Sequence, residues 1–154
     1  MIQPDEIGAR VKRLRVIWLA LLFGVATFYL VVWFILKRGG LEGASRPPGL
    51  LPAAAIVALA LLFAPLIRRR LEAFRRGASA DEIARRWELG WIVGQTIKEG
   101  VGIAGLVIAL LAGSTAWALG FAIASIGSMF MTPPWEHEVR LRIHRATGTD
   151  ATAR

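Results

Sequence analysis

Residues 91–112 form the stretch that most limits what this chain can fold into. They read WIVGQTIKEGVGIAGLVIALLA, a mostly apolar run that nevertheless contains Lys98 and Glu99. Its length matches a helix that crosses a hydrocarbon core of about 30 Å at 1.5 Å per residue. An ionisable side chain inside such a helix costs about 3 kcal/mol on insertion scales and indicates a functional site by default. The stretch therefore predicts a membrane span that carries the most informative side chains of the chain.

The composition indicates an integral membrane protein. The chain has 154 residues, 55% of them hydrophobic, and its mean hydropathy is +0.52. A soluble domain of this size needs more polar surface to cover its core. The length predicts one membrane domain over residues 1–154. Because the chain has no cysteine, disulfides, Cys-based zinc sites and iron–sulfur clusters are excluded, and no cofactor is predicted.

Hydropathy divides the chain into four predicted spans. They cover residues 16–36, 50–67, 91–112 and 115–131. The alternative for the first run, a cleaved signal peptide, is disfavoured because the run is too long and no small-x-small cleavage site follows it. Only Gly113 and Ser114 separate the last two spans, so these should form a tight antiparallel hairpin. The predicted fold is an all-α bundle of four transmembrane helices.

Polar segments connect and follow these spans. In the loop 68–88, Ser79 and Glu82 fit a capping box, and a helix that begins there can continue into the third span. In the tail 132–154, acids followed by bases favour a helix at the membrane surface, although Val139, Leu141 and Ile143 alternate as in a strand. The residues from Thr149 onward are expected to be disordered.

The charge distribution predicts the orientation. The net charge is +8, and the basic residues lie at the ends of apolar runs, which indicates anionic lipid rather than nucleic acid as the partner. The head (residues 1–15), the loop 68–88 and the tail are the strongly basic segments. In a four-span protein these three segments lie on the same side of the membrane, and the positive-inside rule places that side in the cytoplasm. The chain is therefore predicted to be a multi-pass protein of a bacterial inner membrane with both termini cytoplasmic. Lipid-headgroup contact is predicted for Arg68, Arg69, Arg70, Arg75 and Arg76.

Glycines mark the predicted helix contacts. Gly113, Gly120 and Gly127 recur every seven residues, a small-residue stripe that allows a neighbouring backbone to approach closely. Further packing positions on the third helix are Gly90, Gly94, Gly102 and Gly105. Helix packing is the preferred interpretation of all seven.

Glu99 is the main candidate for an ion-binding residue. It lies about 12 Å along the helix from Trp91, close to the middle of the span. Consecutive helical residues point about 100° apart, so Lys98 is not expected to pair with it. Gln95, one turn earlier, can donate a hydrogen bond to it. The candidate partners on other spans are Thr27, Tyr29, Ser125 and Ser128.

The run from Glu99 to Leu110, EGVGIAGLVIAL, resembles the carboxylate-bearing helix of the c subunit, or proteolipid, of rotary ATPases. The resemblance implies that Glu99 stands where that family carries its proton or sodium ion, with Gln95 as a polar partner. It covers about a dozen residues. The chain departs from the family in lacking its glycine-repeat helix and in having Lys98 and a basic tail. As a whole the chain more loosely resembles small, uncharacterised four-span bacterial membrane proteins, which implies no activity.

Two functional hypotheses follow. In the first, the chain is a non-enzymatic structural or accessory subunit that packs against copies of itself or against other membrane subunits. In the second, it is a proteolipid-like protein that translocates a proton or cation through Glu99. No catalytic set is recognisable, and an enzyme acting on lipid has only the cationic face in its favour. His137 and His144, seven residues apart, are too widely spaced to share one metal ion directly, so no metal site is predicted.

Overall fold

A computed structural model describes residues 4–39, 48–73 and 78–147. They form the helices α1 (Pro4–Lys37), α2 (Leu50–Glu72), α3 (Ala80–Ala112), α4 (Thr115–Phe130) and α5 (Glu136–Thr147). Over these residues the prediction of an all-helical chain is confirmed. Two predictions fall outside the described residues, namely lipid contact by Arg75 and Arg76, and disorder from Thr149 onward.

Three helices, α1, α2 and α3, are long and apolar enough to cross a membrane, as expected of a multi-pass membrane protein. With 34 and 33 residues, α1 and α3 are each about 50 Å long. Each is therefore longer than the hydrocarbon core and extends beyond it. The residues before the predicted first span are helical as well, because α1 runs unbroken from Pro4 through that span.

Local capping explains where α3 begins and ends. The Ser79 hydroxyl accepts a hydrogen bond from the Glu82 N–H at 3.2 Å, as the capping motif predicts. The helix then runs without a break to Ala112 and ends at Gly113, whose φ of 64° suits glycine. Ser114 caps the next helix by accepting from the Trp117 N–H at 3.3 Å. These two residues make the tight hairpin that the sequence predicts.

The fourth helix is shorter than a typical span. α4 has 16 residues, about 24 Å at 1.5 Å per residue, compared with a hydrocarbon core of about 30 Å. It is apolar and packs antiparallel to α3, but it is not among the helices long enough to cross a membrane unaided.

The central element of the bundle is α3, with α2 on one side and α1 and α4 on the other. At one end of the molecule, the starts of α1 and α3 and the helix α5 share a hydrophobic cluster of Ile7, Val11, Leu14, Ala84, Trp87, Trp91 and Val139. Residues of the predicted head, of the predicted loop 68–88 and of the tail therefore lie at the same end. In this cluster Val139 of α5 is buried, and the tail is helical rather than a strand.

Candidate functional site

The end of α4 lies against α3, and this contact contains most of the polar side chains within the bundle. The last carbonyl groups of any helix lack N–H partners inside that helix. In an apolar environment such groups need donors from elsewhere, because a polar group left unpaired there costs several kcal/mol. The oxygens concerned are the carbonyls of Ser128 and Met129 in the last turn of α4, and the carbonyl and hydroxyl oxygens of Thr132, two residues beyond its end. Thr132 itself donates its hydroxyl to the Ser128 carbonyl at 3.2 Å and its N–H to the Met129 carbonyl at 3.1 Å.

Side chains of α3 and α1 supply these donors. The Lys98 ammonium donates to the Ser128 carbonyl at 2.8 Å and to the Thr132 hydroxyl at 2.5 Å. Gln95 Nε2 donates to the Thr132 carbonyl at 2.8 Å and to its hydroxyl at 3.0 Å. Two indole N–H groups complete the set, from Trp91 to the Thr132 carbonyl at 3.1 Å and from Trp18 to the Met129 carbonyl at 3.2 Å.

This arrangement gives Lys98 a structural role. Its side chain is buried, and a cation at a helix C-terminus is favoured by the helix dipole. The prediction that Lys98 and Glu99 do not pair is confirmed, since no salt bridge joins them in the described structure.

The expected hydrogen bond from Gln95 to Glu99 does not form. The Gln95 amide donates to Thr132 instead, because the end of α4 presents a carbonyl and a hydroxyl oxygen to it at once. Gln95 Oε1 is buried and has no hydrogen-bond partner among the described residues. Gln95 and Glu99 therefore lie in different environments in the described structure, and it does not bring them together.

The two serines proposed as partners of Glu99 also have other roles. Ser125 donates to the Lys98 carbonyl at 2.7 Å, and Ser128 donates to the Ser125 carbonyl at 2.8 Å. Gly102 makes the first contact possible, because a Cβ at that position would come within 2.5 Å of Ser125 Oγ. At Gly105 a Cβ would overlap the ring of Phe121.

The predicted packing glycines divide into three groups. Those of α3 contact neighbouring helices: Gly102 and Gly105 face α4, while Gly90 and Gly94 face Glu72 and Arg68 of α2. Gly113 forms the turn instead. A Cβ at Gly120 or Gly127 would meet nothing within 4 Å among the described residues. These two glycines of the seven-residue stripe therefore face outward from the bundle.

Glu99 lies where α3 meets α1. A Cβ added at Gly24 would come within 3.3 Å of Glu99 Oε1, so the absence of a side chain there makes room for the carboxyl group. Its side chain is only partly enclosed. Over residues 4–39, 48–73 and 78–147 no hydrogen bond or ion pair involves it, and neither Thr27 nor Tyr29 donates to it. Glu99 thus differs from Lys98 and Gln95, whose side chains bond to the end of α4.

A second polar cluster joins α2 to α5, at the end of the molecule where α1, α3 and α5 share a hydrophobic cluster. Arg68 contacts Glu72 at 2.5 Å and Glu138 at 3.0 Å, while Arg142 contacts the same two acids at 2.8 and 2.9 Å. The side chain of Glu72 is only 3% exposed. Arg68, predicted to contact lipid headgroups, therefore lies in an ion-pair network, whereas Arg69 and Arg70 are exposed.

Sequence reasoning missed this network. The four-residue spacing of Glu138 and Arg142 was a visible signal for a helical ion pair, but no local pattern connects them to α2. A similar long-range pair joins α1 to α3, where Arg10 contacts Asp81 at 2.7 Å and Glu88 at 3.7 Å.

No group of three or more histidine, aspartate or glutamate side chains suited to a metal ion occurs in the described part of the chain. No protein family matches the sequence, and no curated protein or solved structure is significantly similar to it. The resemblance of residues 99–110 to the proteolipid helix thus stays a prediction.

Proposed function

We propose that this chain is a non-enzymatic structural or accessory protein of the bacterial inner membrane, which assembles with copies of itself or with other membrane subunits. The observation that carries the proposal is an outward-facing strip of small residues on α4. We call Ala116, Gly120, Ala124 and Gly127 the α4 strip. Three of the four are exposed and Gly127 is partly exposed.

The α4 strip lies opposite the side of α4 that packs into the bundle. The buried residues of α4 are Ala118, Ala122, Ser125 and Met129, so the strip is left for contact with lipid or another helix. Small residues on an outer helix face let a second backbone approach closely, and such approach drives helix association in membranes. The polar groups at the end of α4, by contrast, face the bundle, where they accept hydrogen bonds from Gln95 and Lys98 of α3.

We further propose four crossings with both termini cytoplasmic. Exposed cations lie near the starts of α1 and the end of α2, namely Lys12, Arg13, Arg15, Arg69 and Arg70, which supports a cytoplasmic location for that end. α4 is short for a span, and side chains of its neighbours donate to the oxygens at its end. Lys98 and Trp18 donate to carbonyls of its last turn, and Gln95 and Trp91 donate to the Thr132 carbonyl just beyond it. The exposed side chains of Arg69 and Arg70 can then contact anionic lipid headgroups.

The proposal is tested by the native mass of the full chain in native lipid particles. Wild type should form an assembly larger than one chain, and Gly120→Leu and Gly127→Leu should reduce it to the single chain. Neither substitution should disturb the fold, because a Cβ at either position meets nothing within 4 Å. Ala58→Leu, at an exposed position of α2, is the matched control and should leave the assembly intact. A single chain in every variant and in wild type contradicts the proposal.

The second candidate function is translocation of a proton or cation by Glu99. One observation favours it, the absence of any described partner for a carboxyl group in the middle of a span. A carrier carboxyl must be accessible and able to change its occupancy, and intramembrane carboxylates commonly mark ion paths.

Carbodiimide labelling in membranes distinguishes the two candidates. A protonated, lipid-accessible carrier should be labelled at Glu99, with labelling that falls as pH rises, and Glu99→Gln should abolish both labelling and transport while assembly persists. Absence of labelling at every pH contradicts the carrier function. Glu136, outside the predicted spans, is the control carboxyl, and its Glu136→Gln variant should behave as wild type.

A further inference from the structure

We propose that the open face of α3 beside Glu99 binds a transmembrane helix of a different protein, one that carries a lysine or arginine at the depth of Glu99. This inference rests on the proposed accessory function, since it names the partner and the surface. It concerns a different surface from the α4 strip, so the experiments can contradict the partner on α3 and the assembly through the α4 strip independently.

The open face is the part of α3 that no other described helix covers. Neighbouring helices bury the positions that face α2, α4 and α1. On the remaining side, Leu89, Thr96, Gly100 and Val107 are exposed. A Cβ at Gly100 would meet nothing within 4 Å, so a second backbone can approach closely at this point.

Glu99 lies at one margin of this face, next to Gly100 in sequence and beside Gly24 of α1. α1 continues the surface through a shallow groove that includes Phe23, Gly24 and Thr27. The result is an apolar surface as long as a span, with small residues at its middle and one carboxyl group at its edge. Such a surface can bind another helix, and its one carboxyl group can select a helix by charge.

Charge complementarity identifies the occupant. A carboxylate at this depth is costly unless it is neutralised, and charged groups in spans pair with one another or with backbone groups. Lys98, the cation nearest in sequence, is used at the end of α4. Another copy of the chain that docked by the same face would place Glu99 against Glu99 and bring no free cation of the described spans to it. A heterologous helix with its own lysine or arginine provides the missing charge.

The test uses defined probes in phosphatidylcholine vesicles. The full chain is labelled at a single cysteine introduced by Leu51→Cys, an exposed site at the far end of α2, because the chain has no cysteine of its own. Energy transfer is measured to Leu/Ala transmembrane peptides that carry a central lysine, or a central leucine as the reference. The lysine peptide should bind about threefold to tenfold more tightly than the leucine peptide.

Glu99→Gln should remove that preference, and Gly100→Leu should weaken binding of both peptides by blocking the face. Gly120→Leu, which disrupts only the α4 strip, should leave the preference intact even if it abolishes self-association. Equal binding of the two peptides to wild type, or a preference that survives Glu99→Gln, overturns the inference. Self-association that is lost in Glu99→Gln but not in Gly120→Leu also overturns it, because the occupant is then another copy of the chain.

Discussion

The ammonium nitrogen of Lys98 lies 2.8 Å from the carbonyl oxygen of Ser128, so a charged side chain of α3 caps the end of α4. The contact explains why a lysine is present in a predicted span. α4 has only 16 residues, and the Ser128 carbonyl in its last turn accepts a hydrogen bond from the Thr132 hydroxyl at 3.2 Å as well as the shorter one from Lys98. A cation is suited to this place because helix carbonyls concentrate negative partial charge there.

Replacement of Lys98 by methionine should destabilise the bundle. The change keeps most of the side-chain length but removes the charged donor to Ser128 and Thr132, and a hydrogen bond from a charged group contributes about 1.5–3 kcal/mol. Thermal unfolding in a mild detergent should show a lower Tm for Lys98→Met. Thr96→Val is the control, because the Thr96 hydroxyl bonds only within α3, to Ile92. Equal Tm values for Lys98→Met and wild type would exclude the capping role.

A methyl group added at Gly102 should loosen the α3–α4 contact. In Gly102→Ala the new Cβ lies within 2.5 Å of Ser125 Oγ, so Ser125 must move and lose its bond to the Lys98 carbonyl. Overpacking of this kind costs about 1–3 kcal/mol. Gly100→Ala introduces the same group on the open side of α3 and should not lower the Tm. If both variants unfold at the same temperature, the close contact at Gly102 is not important for stability.

Removal of Arg142 should release α5 from α2. Arg142→Ala leaves the buried Glu72 carboxylate with Arg68 as its remaining partner. The expected loss of folding free energy is about 1–2 kcal/mol, which is less than for a buried carboxylate that loses every partner. Limited proteolysis should then cleave the tail faster than in wild type. Arg145→Ala, an exposed position in the last turn of the same helix, serves as the control. Cleavage at wild-type rates in Arg142→Ala would show that the network does not hold the tail.

The contact between α1 and α3 should weaken in acid. The hydrogen bond from Arg85, with the nearby charge of Arg10, holds the pKa of Asp81 below its usual value. Because the folded-state pKa is the lower one, the ionised carboxylate stabilises the fold above about pH 4, and this contribution is lost as pH falls through the folded-state pKa. The Tm difference between wild type and Asp81→Asn should therefore be larger at about pH 6 than at about pH 2. A difference independent of pH would show that the charge of Asp81 is not involved.

Local sequence patterns were sufficient to predict most of the secondary structure. Apolar runs located the three long helices, Ser79 and Glu82 marked the start of α3, and Gly113 with Ser114 marked the hairpin. Each depends on residues within a few positions of one another, through hydropathy, capping or backbone conformation. The charges of the tail likewise indicated α5 before its partners were known.

The partners of the polar side chains required the tertiary structure. Gln95 is one turn from Glu99 in α3, yet its amide bonds to Thr132, 37 residues away. Lys98 and Glu99 are adjacent in sequence, but one is buried against α4 and the other faces the edge of α1. Gly102 and Gly120 are the same residue type, one in contact with a neighbouring helix and the other facing outward. Helical periodicity places side chains on faces of a helix, whereas only the packing of the helices decides which faces meet.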